Sequence, residues 1–374
     1  MKNWIYPLLL CQCMTWGFSD EPSTNPSSQS TSCLQNKDDK VDDFVETRHK
    51  LNLQGSTLSY TAKAGTLTIK DNCQKPKAKV FYVAYTKDDV ADKTQRPVTF
   101  CFNGGPGSSS VWLHLGAFGP KRVLCDDAGI PSFPFQLVDN TYTLLDSTDL
   151  VFVDPVATGY SKPVEGEDAK QFFGLENDAN YLCEFIRLYT TKNDRWMSPK
   201  ILMGESYGTT RVSALAYNLQ DEHLMFLDGV VLISSVLNWQ TIQSRMKYIG
   251  NDLACVLSLP SFAASSYYFK KVNTSKSFSD FLKEVESFAL TEYNQALMKG
   301  DQLTSEERKN IIKKMASYTG LSEECISLND MRIVTRVYTK EVLQSEGLVA
   351  GRFDARVTGW DLDPSSSYAT YDPS

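Results

Sequence analysis

Four short apolar runs punctuate the chain: RPVTFCF (96–102), DLVFVD (149–154), KILMG (200–204) and GVVLISS (229–235). They are apolar at nearly every position rather than at alternate ones, which suits strands buried on both faces of a parallel sheet. Between them the spacing turns helical. GLENDANYLCEFIRLYTTK (174–192) places apolar residues at 181, 182, 185, 186 and 189, and TTRVSALAYNLQ (209–220) predicts a second helix. Strand alternating with helix predicts an α/β sheet. Upstream, STLSYTAKAGTLTI (56–69) and AKVFYVAYTK (78–87) alternate in part, with Gly65 and the charged stretch after Ile69 as breaks. They predict antiparallel strands at one edge of the sheet.

After Trp239 the strand signals fade. Residues 240–350 read as mainly helical and polar, as in SFSDFLKEVESFALTEYNQALM (277–298) and SEERKNIIKKMASYTG (305–320). This predicts a cap inserted over one end of a core spanning 41–239, the alternative being a separate helical bundle. Residues 351–374 carry Gly, Asp, Pro and Ser with few hydrophobic runs, and read as a return segment that ends before another sheet strand.

Composition narrows the class without naming it. The 374 residues are enough for one large domain with an insertion, and 42% apolar with 22% charged residues is an ordinary globular balance. A net charge of −7 with no basic block argues against nucleic acid as the main partner. MKNWIYPLLLCQCMTWGFS (1–19) pairs Lys2 with an apolar run and small residues, and reads as a secretory signal, too short for a comfortable membrane span. Lipid anchoring at Cys11 or Cys13 is the variant reading, although the residues before each fit a lipobox poorly. Residues 20–40 form a polar leader. Removal of the signal would leave Cys33, Cys73, Cys101, Cys125, Cys183, Cys255 and Cys325, an odd number, in a compartment that permits disulfides. No spacing calls for a metal, and nothing calls for a cofactor.

The chemistry concentrates in two stretches. Gly204-Glu205-Ser206-Tyr207-Gly208 lies between a predicted strand and a predicted helix, the setting of a nucleophile elbow. The turn lifts the Ser206 hydroxyl above the sheet, and the helix N-terminus favours developing negative charge. The second stretch is FNGGPGSSS (102–110), after a strand expected beside the elbow strand. Its small residues let backbone N–H groups face a cavity, as acyl transfer requires where a carbonyl oxygen becomes negative.

NGGPGSSS together with GESYG resembles the serine carboxypeptidase family (peptidase S10), a branch of the α/β hydrolases that removes C-terminal residues from peptides. The resemblance runs from about residue 80 to 239 and includes LVFVDPVATGYSKP (150–163), which matches a pocket-lining segment. It implies an α/β-hydrolase fold with a cap, Ser206 as nucleophile, and the N–H groups of Gly105 and Tyr207 as the oxyanion hole. Asn103, the Gly104 N–H and Glu205 would hold the terminal carboxylate of a peptide. An ionised glutamate repels a carboxylate while a protonated one donates to it, so recognition should favour acidic pH. Two positions depart from the family: Cys101 stands where a tryptophan is usual, and Ser108 where a cysteine is usual.

The family order is serine, acid, histidine. This chain has three histidines, His49, His114 and His223. Only His223 follows Ser206, and the intervening helix carries it about 20 Å away, against the roughly 3 Å reach of a general base. His114 is expected to be packed or hydrogen-bonded, and His49 to face solvent. Of Asp354, Asp361, Asp363 and Asp372, none stands out as a triad acid. Two explanations are open: a truncated chain, whose sheet would keep an open apolar edge prone to aggregation, or an inactive homologue. Three functions follow: a carboxypeptidase, an acyltransferase or esterase on the same scaffold, and a protein that binds peptide carboxylates without cutting them.

Overall fold

The computed structural model describes residues 42–127, 129–131, 133–242 and 250–374. The expected signal, with Cys11 and Cys13, and the expected leader lie outside the described residues. In chain order the strands are β1 (Phe44–Leu53), β2 (Ser56–Lys70), β3 (Pro76–Lys87), β4 (Val98–Phe102), β5 (Lys121–Val123), β6 (Leu137–Asp139), β7 (Asp149–Val153), β8 (Lys162–Pro163), β9 (Lys200–Glu205) and β10 (Gly229–Ile233). The main sheet runs β1-β2-β3-β7-β4-β9-β10, with β8 paired to β3. Each of the first four strands in that order is antiparallel to the next, and β7, β4, β9 and β10 are parallel. This is the mostly parallel sheet of an α/β-hydrolase fold.

The apolar runs have the expected cause. β4 and β7 are buried at every position because they lie inside the sheet with both faces covered. One face carries α1 (Leu175–Lys192) and α2 (Tyr207–Asp221), whose Leu182, Phe185, Ile186, Val212 and Leu215 pack on Val80, Phe100 and Phe102. The opposite face packs Cys101, Phe152 and Met203 with Leu113 and Leu145. β10 differs: it pairs with β9 alone among the described residues, and Val230, Val231 and Leu232 stay 42%, 39% and 38% exposed.

Residues 253–341 hold six α-helices joined by turns and short connections. The elements are α3 (Leu253–Tyr268), α4 (Phe278–Phe288), α5 (Asn294–Lys299), α6 (Ser305–Thr319), α7 (Glu323–Leu328) and α8 (Thr335–Glu341). They enclose a core of their own around Leu259, Phe281, Val285, Met315 and Tyr338. α6 starts on a capping box in which Thr304 and Glu307 satisfy each other's backbone N–H. Beyond them lie two short strands that do not join the main sheet. β11 (Leu348–Ala350) and β12 (Thr358–Trp360) pair antiparallel with each other, apart from the main sheet. Three residues each is too short for a hydrophobic alternation to register.

Candidate active site

β9 ends at Glu205, and the chain turns at Ser206 with φ 56° and ψ −126° before α2 begins at Tyr207. A non-glycine residue in this region stores strain, of order 1–3 kcal/mol, and the surroundings hold it there. The Ser206 N–H donates to the Ile233 carbonyl at 3.0 Å, and the Ser206 carbonyl accepts the Thr209 N–H at 2.9 Å and the Thr209 hydroxyl at 2.7 Å. The glycines of the motif are required by close approach. A Cβ on Gly204 would sit 2.2 Å from the Gly208 oxygen, and one on Gly208 would sit 2.3 Å from the Phe102 oxygen.

The second stretch arrives beside the first because β4 and β9 are parallel neighbours. Their register pairs Phe102 with Gly204, so Asn103, just past β4, and Glu205, the last residue of β9, come side by side at the end of the sheet. Asn103 Nδ2 donates to Glu205 Oε2 at 3.0 Å, and Asn103 Oδ1 accepts the Leu113 N–H at 2.9 Å. Asn103 is fully buried and Glu205 half-buried. Gly104 follows so tightly that a Cβ would lie 2.4 Å from the Tyr207 nitrogen. Five of the sequence-predicted residues, Asn103, Gly104, Glu205, Ser206 and Tyr207, thus gather at the ends of two adjacent strands. Gly105 comes next, exposed, with φ 104°.

Residues without a motif of their own brace the loop. Ser110 donates its hydroxyl to the Cys101 carbonyl at 3.1 Å, and its N–H goes to Asp154 Oδ1 at 3.0 Å. Asp154 also accepts the Tyr160 N–H, at 3.3 Å. Burial pushes the Asp154 carboxyl up, and the two N–H donors draw it back in part. A Cβ on Gly159 would lie 1.9 Å from Asp154 Oδ2, so that glycine makes room for the carboxylate. The segment 150–163 was visible in the sequence, but the bracing role of Asp154 was not.

A model of the serine carboxypeptidase family, peptidase S10, matches residues 54–355. The chain belongs to the serine carboxypeptidase family. Similar proteins include the pheromone-processing carboxypeptidase KEX1 of Saccharomyces cerevisiae, 31% identical over 134 residues, which are 34% of this chain and 17% of that protein. Serine carboxypeptidase-like 36 of Arabidopsis thaliana is 24% identical over 202 residues, 52% of this chain and 38% of that protein. The solved prohormone-processing carboxypeptidase KEX1(delta)p of Saccharomyces cerevisiae aligns with 69% of this chain and 53% of its own, at 22% identity and a TM-score of 0.43. The chain therefore spans from under a fifth to about half of the length of these relatives.

None of the three histidines is hydrogen-bonded to Ser206. His223 lies in the turn beyond the far end of α2, after the Glu222 cap. At 1.5 Å per residue the helix sets it about 20 Å away. His114 sits in a π-helical turn, Trp112–Phe118. Its Nε2 is 2.7 Å from the Tyr85 hydroxyl and its ring stacks on Phe152 at 4.6 Å. Burial lowers its pKa to about 4. His49 is exposed on β1, with Nε2 2.7 Å from the Thr47 hydroxyl. Cys101, at the departing tryptophan position, is fully buried in the sheet with its thiol pushed up by burial. Ser108 is half-buried and bonds to the Ser109 carbonyl. Among the described residues no cluster of His, Cys, Asp or Glu is placed to hold a metal, and no helix is long and apolar enough to cross a membrane.

Proposed function

We propose that this chain carries the substrate-binding and nucleophilic half of a serine carboxypeptidase site, directed at peptides with a free C-terminal carboxylate. The observation that carries this reading is the Asn103–Glu205 hydrogen bond, 3.0 Å long, one residue from Ser206. The Asn103 amide and a protonated Glu205 carboxyl can each donate a hydrogen to a second carboxyl group, that of a substrate. The Gly104 N–H completes this cradle. Ser206 Oγ would attack the last peptide carbonyl, the N–H groups of Gly105 and Tyr207 would take the oxyanion, and the terminal residue would leave from the cradle. Gly105 also borders a cavity of about 860 Å³ whose lining mixes Trp239, Leu253 and Met298 with Gln240, Asn251 and Asp252, a mixed surface for a substrate side chain.

The attack needs an acceptor for the Ser206 proton, which must then reach the leaving amine. None of the three histidines stands there, so Ser206 in these 374 residues is a weak nucleophile. Loss of a triad member lowers rates by about four to six powers of ten. That observation favours a second reading, binding of peptide carboxylates without turnover. Calorimetric titration with one peptide, as free acid and as C-terminal amide, tests what the two readings share: the acid should bind at least about tenfold tighter. Equal affinities would sink both. Mass spectrometry with an activated peptide ester then separates them, because a stable acyl adduct that vanishes in Ser206→Ala marks the nucleophile, and its absence leaves binding alone.

A further inference from the structure

Beneath the elbow, Arg211 of α2 and Asp178 of α1 form an ion pair, Nε to Oδ2 at 2.8 Å, with 2% and 6% of their surfaces exposed. Taking two charges out of water is costly, and the attraction between them recovers that cost only with good geometry and further hydrogen bonds. Those bonds lead to the site. Arg211 Nη1 donates to the carbonyl of Asn103 at 2.5 Å. The guanidinium lies 5.0 Å from the centroid of the Tyr207 ring. Asp178 Oδ1 accepts the Tyr181 hydroxyl at 3.1 Å, and that hydroxyl accepts the Val156 N–H at 2.9 Å, tying in the 150–163 segment.

The Asn103 carbonyl and the Gly104 N–H are opposite ends of one planar trans peptide. A donor fixed on the carbonyl fixes the direction of the N–H. A cation on the carbonyl also draws electron density through the amide and strengthens the N–H as a donor. The Gly104 carbonyl accepts the Ser108 N–H at 3.1 Å, while the Gly104 N–H has no acceptor among the described residues. We propose that the Asp178–Arg211 pair is a positioning device that aims and polarises the Gly104 N–H, and so sets the preference for a free carboxylate over an amide. This rests on the reading of Asn103, Gly104 and Glu205 as the carboxylate cradle.

Arg211→Met alone would strand the Asp178 charge, so the working variant is Arg211→Met with Asp178→Asn, and Arg211→Lys is the conservative control. Asn-Gly occurs once in the sequence, at 103–104. Labelling Asn with 13C at the carbonyl and Gly with 15N therefore gives a single amide resonance for Gly104. In the folded double variant that resonance should move upfield, and the preference for the acid over the amide peptide should fall by about tenfold, with amide binding unchanged. Arg211→Lys should restore part of both. A folded double variant with the Gly104 resonance and the preference both unmoved overturns the proposal. If the starting protein shows no preference, the cradle reading fails by itself. The Gly104 resonance still decides then whether the pair acts on that amide.

Discussion

His114 shows how a single side chain can carry a pH dependence without touching the chemistry. Its folded-state pKa, near 4, lies below the ordinary 6.5, because burial between Tyr85 and Phe152 disfavours the charged ring. Protons therefore bind the unfolded chain more tightly. The stability that His114 contributes is complete above pH 6.5 and is lost as pH falls from there towards 4. The contribution is up to about 3 kcal/mol. Urea midpoints should drop across that window, and His114→Gln should flatten that part of the profile. A midpoint that does not change between about pH 6.5 and about pH 4 would show that the ring is more open to water than its packing indicates. The other two histidines are exposed or half-buried in a turn, and neither shares this apolar setting.

Strands and helices differ in how much of themselves they disclose in the sequence. β4 and β7 read as buried strands and are buried, since an unbroken apolar run has one explanation when both faces are covered. β1 could not be read. Its FVETRHKLNL alternates neither way, only Leu51 and Leu53 are buried, and it is held by ten residues of backbone pairing with β2. β10 is the informative mismatch. GVVLI has the pattern of a covered strand, yet three of its residues are more than a third exposed and its outer edge is unpaired among the described residues. Such an edge recruits other chains. Purified protein should self-associate, and Val230→Lys should reduce light scattering at equal concentration with little change in midpoint. Unchanged scattering would place the sticky surface elsewhere.

The whole molecule joins a sheet whose outline was legible to a helical layer whose internal ties were not. The motifs announced Asn103, Gly104, Glu205, Ser206 and Tyr207 because each sits in a short stretch whose glycines and strand-to-helix setting stand out in the sequence, although their contacts join stretches about a hundred residues apart. Arg211 and Asp178 went unnoticed because their meaning depends on a partner 33 residues away. A hint was present: Arg211 shares the helix face of Val212 and Leu215, where an unpaired charge would be untenable. Lys340 follows the same logic in the helical layer. Fully buried on α8, it bonds to Asp361 Oδ2 and donates to the Asp363 carbonyl at 2.7 Å, pinning residues 361–363. Lys340→Met should cost about 3–5 kcal/mol by stranding the Asp361 charge, read as a lower denaturation midpoint, and adding Asp361→Asn should recover part of it. Full stability in Lys340→Met would mean that water reaches that carboxylate.

The pairing of Phe102 with Gly204 has a consequence for how such a site can change over time. Because the cradle is assembled from the residue just past β4 and the last residue of β9, its spacing is counted in whole residues. Deleting or inserting one codon in either strand would slide Asn103 past Glu205 and turn one of them to the other side of the sheet. Substitutions can tune this site by degrees, but a length change in β4 or β9 offers no intermediate. Lineages that vary in length should therefore do so in the loops and helices around these strands and leave the two strands at fixed count.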